Sequence, residues 1–254
     1  MILRYDNDKN ALINPSDFKK KVESMPETIV TFFETKLLDE FLKMFKTEVV
    51  CETGVACKRH PIYKINYKGK DLAVVQAGVG APYSVGIFEE IIAMGAKNIL
   101  MFGSCGTLIN MKATSIIIPT SAIRDEGTSY HYLEESDEVE LDQKFVKKLE
   151  EFCKKNNIEY AMGKTWTTDA FYRETRNKLE ERVKQGCISV EMECSAMAAL
   201  AKFRNVNFSE FFYVTDFLTK EEYDVGILND KENFSGEDKI IIIALDCALD
   251  LFEQ

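Results

Sequence analysis

The sequence predicts a three-layer α/β fold, with helices on both faces of a buried sheet. Three observations point to it. Short β-branched runs alternate with helical patterns along most of the chain. The runs end in glycine or polar residues, at Gly78-Val79-Gly80, Gly103-Ser104-Cys105-Gly106, Glu191-Met192-Glu193 and Thr215-Asp216. The 254 residues are 46% hydrophobic and 29% charged, enough to enclose a large core. On length alone, one α/β domain or two small ones are possible.

Taken in order, the first 30 residues read as an entry segment with one charged helix at 17–24. Residues 35–45 form an amphipathic helix, with Leu37, Leu38, Phe41, Leu42 and Phe45 on one side. A strand at 72–76 runs into the Gly78-Val79-Gly80 turn, and a helix at 83–94 follows, closed by Gly95. Residues 98–102 are a buried strand ending at Gly103-Ser104-Cys105-Gly106, and 115–118 another, stopped by Pro119. Residues 142–156 form a helix with Phe145, Val146, Leu149, Phe152 and Cys153 on its apolar face. Strands follow at 188–191 and 211–214, and an apolar helix at 239–252. In such sheets ligands sit outside the carboxyl ends of strands, so the four polar clusters suggest one shared cleft.

Charge and cysteine usage narrow the function. A net charge of −10 excludes binding to nucleic acid or anionic membranes through the overall field. The seven cysteines are scattered and odd in number, which suggests reduced thiols and a cytoplasmic protein. Residues 1–14 show no cationic start followed by an apolar run, so no signal peptide is expected. No apolar run approaches the ~20 residues of a membrane span. No His, Cys and carboxylate cluster suggests a metal site. Thr128, Ser129 and His131 form no spaced nucleophile–base pair.

The most informative segment runs from Ser189 to Ala201: a short strand ending in carboxylates, then a helix of small residues. Glu191 and Glu193 are two apart, so at most one is expected on the core side. A carboxylate there can accept hydrogen bonds from the vicinal hydroxyls of a ribose. The competing reading is an acidic helix start favoured by the helix dipole.

Between residues 58 and 218 the chain resembles the nucleoside phosphorylases of the trimer-to-hexamer type, with the related uridine phosphorylases and methylthioadenosine nucleosidases. The resemblance is carried by Gln76-Ala77-Gly78-Val79-Gly80, Gly103-Ser104-Cys105-Gly106, Arg124-Asp125-Glu126-Gly127-Thr128-Ser129, Thr167-Thr168-Asp169-Ala170-Phe171-Tyr172, Val190-Glu191-Met192-Glu193 and Thr215-Asp216. It implies a single domain over residues 1–254, with a mixed, twisted central sheet between helix layers. It implies homodimers or hexamers with shared sites. The implied activity is cleavage of an N-glycosidic bond with phosphate, giving free base and ribose 1-phosphate, in nucleoside salvage or catabolism. No cofactor is implied, phosphate being a co-substrate.

By the same resemblance Glu193 grips the ribose hydroxyls and Met192 lies under the sugar. Phe171 sits beside the base, and Asp216 is the general acid of the purine-cleaving members. Glu191, Gly80, Cys105 and Gly106 fall in the substrate-binding segments. Ser104 and Gly103 offer the anion-binding backbone, and Lys58 or Arg59 completes a neighbour's phosphate site. His60 reads either as a sugar contact across a dimer or as a turn histidine before Pro61.

The chain departs from the phosphorylase pattern where phosphate binds. Thr31-Phe32-Phe33-Glu34-Thr35-Lys36 lacks the usual Gly-Asp-Pro segment and its arginine, and Met101 stands where another arginine is usual. Arg124 is a further cation, with an alternative role pairing Asp125 or Glu126, and Lys36 reads as an inward or a solvated lysine. Arg173-Glu174-Thr175-Arg176-Asn177 lacks the glutamine of uridine-specific members. That and Asp216 favour a purine base, while the segment from Arg124 to His131 also fits the uridine branch. Phosphorolysis is the first expectation. Hydrolysis on the same scaffold and a non-catalytic binding role are the alternatives.

Overall fold

The computed structural model describes residues 5–219, 222–227 and 236–253. The expectations for residues 1–4, within the leader reading and the single-domain span, lie outside them.

Eleven strands form one sheet: β1 (Thr28–Phe32), β2 (Glu48–Val55), β3 (Lys58–Tyr67), β4 (Lys70–Gln76), β5 (Asn98–Thr107), β6 (Ile116–Asp125), β7 (Glu138–Glu140), β8 (Tyr160–Thr168), β9 (Cys187–Glu191), β10 (Asn207–Leu218) and β11 (Tyr223–Asp224). The sheet is mixed. β1 runs parallel to β4 and β5, β5 to β10, and β6 and β9 each to β8. The β2–β3–β4 meander is antiparallel, as are the β5–β9 and β6–β10 pairs. β5 bonds to both β9 and β10, so β5, β10, β6, β8 and β9 close on themselves in a ring.

The helices are α1 (Pro15–Phe18), α2 (Thr35–Met44), α3 (Ala81–Ala93), α4 (Gln143–Lys155), α5 (Arg176–Lys184), α6 (Cys194–Arg204) and α7 (Glu237–Phe252). α2 packs on α7, α4 on α7, and α3 on α6. One large core runs along the sheet, with Phe102 stacked on Phe211 at 5.4 Å between ring centroids. A second cluster packs Ile123, Trp166, Leu179, Cys187, Val190 and Leu218 together. α6 is buried at every residue from Cys194 to Ala201, so its small side chains let it lie close against its neighbours. Among the described residues no helix is long and apolar enough to cross a membrane.

Four expectations are corrected. The helix expected at 17–24 is instead the short α1, begun by Pro15 and ended where Lys19 turns extended. Lys19 and Lys20 bond outward to Glu52 and Ser16 carbonyls, and α1 buries no residue to hold a longer helix. The strand expected to stop at Pro119 runs on to Asp125, because a register shift between Pro119 and Ser121 absorbs the missing N–H. Gly103-Ser104-Cys105-Gly106 lies inside β5 rather than in a loop, with Ser104 beside Tyr213 and Gly106 beside Asp216. His60 is no turn residue. It lies in β3 with its ring buried between the Gln76 carbonyl oxygen at 2.7 Å and the Tyr83 hydroxyl at 2.8 Å.

Candidate active site

β1, β4, β5, β9 and β10 bring the polar clusters to one region. Gly106 is in register with both Val190 of β9 and Asp216 of β10, so one residue of β5 joins the two strands that carry the carboxylates. Glu193 lies two residues beyond the end of β9 as the N-cap of α6, yet its side chain makes no capping bond. It reaches across to accept the Gly80 N–H at 2.5 Å. Gly80 presents that N–H from a backbone at φ 98°, a conformation that a residue with a Cβ rarely adopts.

The expectation that only one of Glu191 and Glu193 faces inward is corrected, since both are buried. The strand ends at Glu191, so the two-residue alternation no longer applies to Glu193. Glu191 supports the turn. It accepts the backbone N–H groups of Glu193 and Cys194, each at 2.7 Å, the Thr167 hydroxyl at 2.6 Å and the Thr165 hydroxyl at 3.4 Å. Thr167 in turn accepts the Ser195 N–H, and Ser195 donates to Glu126, which also accepts the N–H groups of Thr128 and Ser129. This chain of bonds fixes the start of α6 and hence Glu193.

Asp216 is buried near the end of β10, with the Thr215 hydroxyl donating to it at 2.8 Å. Burial raises its pKa above the ordinary aspartate value, while bonds from Thr215 and Tyr223 pull it back. Glu174 is raised to about 7 by burial and by the charge of Asp216. Burial raises Glu191 to about 7, and burial together with the Glu191 charge raises Glu193 to about 8.

These raised values make the empty site pH-sensitive. The folded protein keeps protons that the unfolded carboxylates, at about 4.5, give up. The stability they contribute is complete below that value and is lost as the pH rises through about 7 and 8. The unliganded protein is therefore expected to melt at a lower temperature at about pH 9 than at about pH 6, by about 2–4 °C per kcal/mol lost. Glu193→Gln flattens the slope. Identical slopes for wild type and variant in scanning fluorimetry overturn this assignment.

The remaining expected residues are less convergent. Met192 lies between the two glutamates, and Cys105 is buried in β5 with its thiol pushed well above the ordinary range by burial. Phe171 is 51% exposed in a short 3-10 turn, its ring 4.1 Å from that of Tyr172. Lys58 donates to the Gln76 side chain at 2.8 Å, and Arg59 is exposed, 4.0 Å from Glu52. Arg124 hydrogen-bonds neither Asp125 nor Glu126. Its guanidinium bonds Ser129, Ser136 and the carbonyls of Leu133 and Glu134, while Asp125 takes Trp166, Lys178 and Arg182.

Glu34, the residue sequence reasoning missed, sits close to Ser104. Its carboxylate accepts the Tyr213 hydroxyl at 2.7 Å and the Ser104 N–H at 3.4 Å. It stands just beyond the carboxyl end of β1, a strand parallel to both neighbours, a place that shows only once the sheet is assembled. Glu210, also unmarked in the sequence, is a fully buried carboxylate beside Met101 in register, with the weakly donating Cys194 thiol next to it.

A family model described as the phosphorylase superfamily matches residues 29–240. A DeoD-type purine nucleoside phosphorylase 1 of Shewanella oneidensis is 26% identical over 239 residues, 93% of this chain and 96% of that protein. A guanosine phosphorylase of Halorubrum lacusprofundi is 27% identical over 157 residues, 60% of this chain and 65% of that protein. Among solved structures, a uridine phosphorylase from Vibrio fischeri aligns with TM-score 0.74 at 18% identity, covering 92% of this chain and 95% of that one. A purine nucleoside phosphorylase from Toxoplasma gondii, solved with immucillin-H, aligns with TM-score 0.73 at 20% identity, covering 90% and 92%. Both share the mixed sheet with flanking helices.

Proposed function

The chain belongs to the phosphorylase superfamily, and on that premise we propose that it is a nucleoside phosphorylase, a pentosyltransferase acting on a purine nucleoside. The observation that carries this reading is the pair of buried carboxylates, Glu193 just beyond β9 and Asp216 in β10, two strands that both pair with β5 at Gly106.

The bond between the anomeric carbon and the base nitrogen breaks first in charge terms, leaving a sugar with cationic character. Hydrogen bonds from the ribose hydroxyls favour the ionised form of Glu193, and its negative charge then favours that cation. Asp216 donates its proton to the departing base, which takes the bond's electron pair. Burial moves its pKa upward, the direction that a proton donor needs. A phosphate oxygen then bonds to the anomeric carbon, giving ribose 1-phosphate. Met192 and Phe171 line the sugar and base positions in this reading, with Ser104 and Gly103 at the phosphate and Gly80 fixing Glu193. The purine preference is supported by Asp216 and by the Shewanella relative.

We further propose one domain over residues 1–254, a cytoplasmic location, and homodimers or hexamers in which the exposed Arg59 reaches a neighbouring site. Phosphate serves as co-substrate and no cofactor is needed. A second reading, hydrolysis, is favoured by Glu34 beside Ser104 and by Met101, which supplies no charge to an anion.

The acceptor is tested by cleaving inosine or guanosine with phosphate present and with phosphate removed. Cleavage is expected to stop without phosphate, and ribose 1-phosphate to match the base released. Free ribose at equal rates in both conditions, with no ribose 1-phosphate, makes the enzyme a hydrolase.

A further inference from the structure

We propose that Glu34 selects the acceptor of the reaction: its carboxylate stands in the oxyanion position beside Ser104, and inorganic phosphate enters only by displacing it. The inference rests on reading this cleft as a nucleoside phosphorylase site.

Glu34 is the N-cap of α2, with extended backbone at ψ 134°. A short polar N-cap such as Asp turns back to accept an N–H two or three residues on, which the longer glutamate does less readily. Glu34 makes no such bond. Its Oε1 instead takes two donors, the Tyr213 hydroxyl of β10 and the Ser104 N–H of β5. That pair is an oxyanion-binding set, and a side chain of the same protein already fills it. The second oxygen, Oε2, is buried and has no hydrogen-bond partner among the described residues.

The turn bearing Glu34 is braced on both sides. The Gln76 amide donates to the Phe33 carbonyl at 2.8 Å and to the Thr35 hydroxyl at 3.3 Å, and Lys58 anchors the other end of that amide at 2.8 Å. Phe33 is pressed onto β5 at Gly103, where a Cβ would stand 2.7 Å from the ring. The position of Glu34 is thus set by packing and by bonds to its two neighbours in sequence. Lys58, expected as a phosphate ligand, holds this brace within its own chain.

A phosphate at Ser104 meets a like charge and must take over the donors Glu34 uses. Wild-type protein therefore needs high phosphate, and variants lacking the charge need less. Inorganic phosphate is titrated by calorimetry at fixed ionic strength against wild type, Glu34→Ala, Glu34→Gln and Tyr213→Phe. Glu34→Ala is expected to bind phosphate at least about tenfold more tightly than wild type, the order of one like charge removed at close range. Glu34→Gln gives a smaller gain, since its amide oxygen still accepts from Ser104 and Tyr213. Tyr213→Phe takes one donor from Glu34 and from phosphate alike, so its phosphate affinity stays below that of Glu34→Ala.

Equal phosphate affinity in wild type and Glu34→Ala overturns the proposal. If that variant does not fold, equal affinity in Glu34→Gln does the same. Nucleoside cleavage is measured separately. Failure of every protein to cleave any nucleoside, at any phosphate concentration, defeats the phosphorylase reading, while the binding comparison still decides the place of Glu34.

Discussion

Glu193→Gln is expected to lower turnover of a competent nucleoside by about 100- to 1,000-fold, the scale seen when one charge-stabilising group is taken from a reaction centre. The substitution is nearly isosteric, and the glutamine oxygen still accepts the Gly80 N–H that Glu193 takes at 2.5 Å. The backbone bonds that set the turn belong to Glu191 and persist. The fold is therefore retained, which circular dichroism checks. What disappears is the negative charge facing the sugar as it becomes cationic. Because that charge develops in the transition state, kcat falls more than binding weakens. A variant turning over at near wild-type rate removes Glu193 from the ribose.

Asp216→Asn is expected to divide substrates by their leaving groups. Natural purine nucleosides need a proton on the departing base and slow by about 10²–10⁴-fold, the usual worth of a positioned acid. Nitrophenyl ribosides leave as stable anions and keep most of their rate. The asparagine amide still takes the Thr215 hydroxyl, so the strand end is preserved. Equal losses on both substrate types make Asp216 a structural residue of β10.

Helices α2, α3, α4, α6 and α7 and the acids near strand ends were legible because their signals are local, whereas α1 was misplaced and α5 gave no signal. α4 was expected at 142–156 and spans Gln143–Lys155, since its apolar face repeats cleanly and Asp142 caps it. Glu193 and Asp216 stood out as acids at strand ends. β1, the β2–β3 hairpin and β8 gave no such signal. β1 is five residues long and buried throughout, so it shows no alternation. β3 turns His60 inward and leaves Lys58 and Arg59 exposed, which reads as a loop. β8 carries Gly163 and Lys164 and ends in Thr167-Thr168, a composition poor in apolar residues.

Glu34 was illegible for a different reason. Its partner Tyr213 is 179 residues away, and nothing near Glu34 in sequence distinguishes it from a solvated helix start. The bond from Gly80 to Glu193 spans 113 residues and was equally hidden, although the resemblance placed both residues in one site. Buried polar pairs of this kind depend on how distant strand ends meet, and local pattern carries no record of it.

The ring of β5, β10, β6, β8 and β9 has a bearing on how such a protein can diversify. The strands leading to Glu193 and Asp216 are hydrogen-bonded to the same short stretch of β5, so neither can drift without dragging the other. The segments at 33–36, 171–175 and 222–227 lie outside that ring. Lineages sharing this scaffold are free to exchange those segments one at a time, altering the attacking group or the leaving base while bond breaking stays under the same constraint. An altered acceptor region such as the one around Glu34 is the kind of novelty this arrangement permits without loss of the fold.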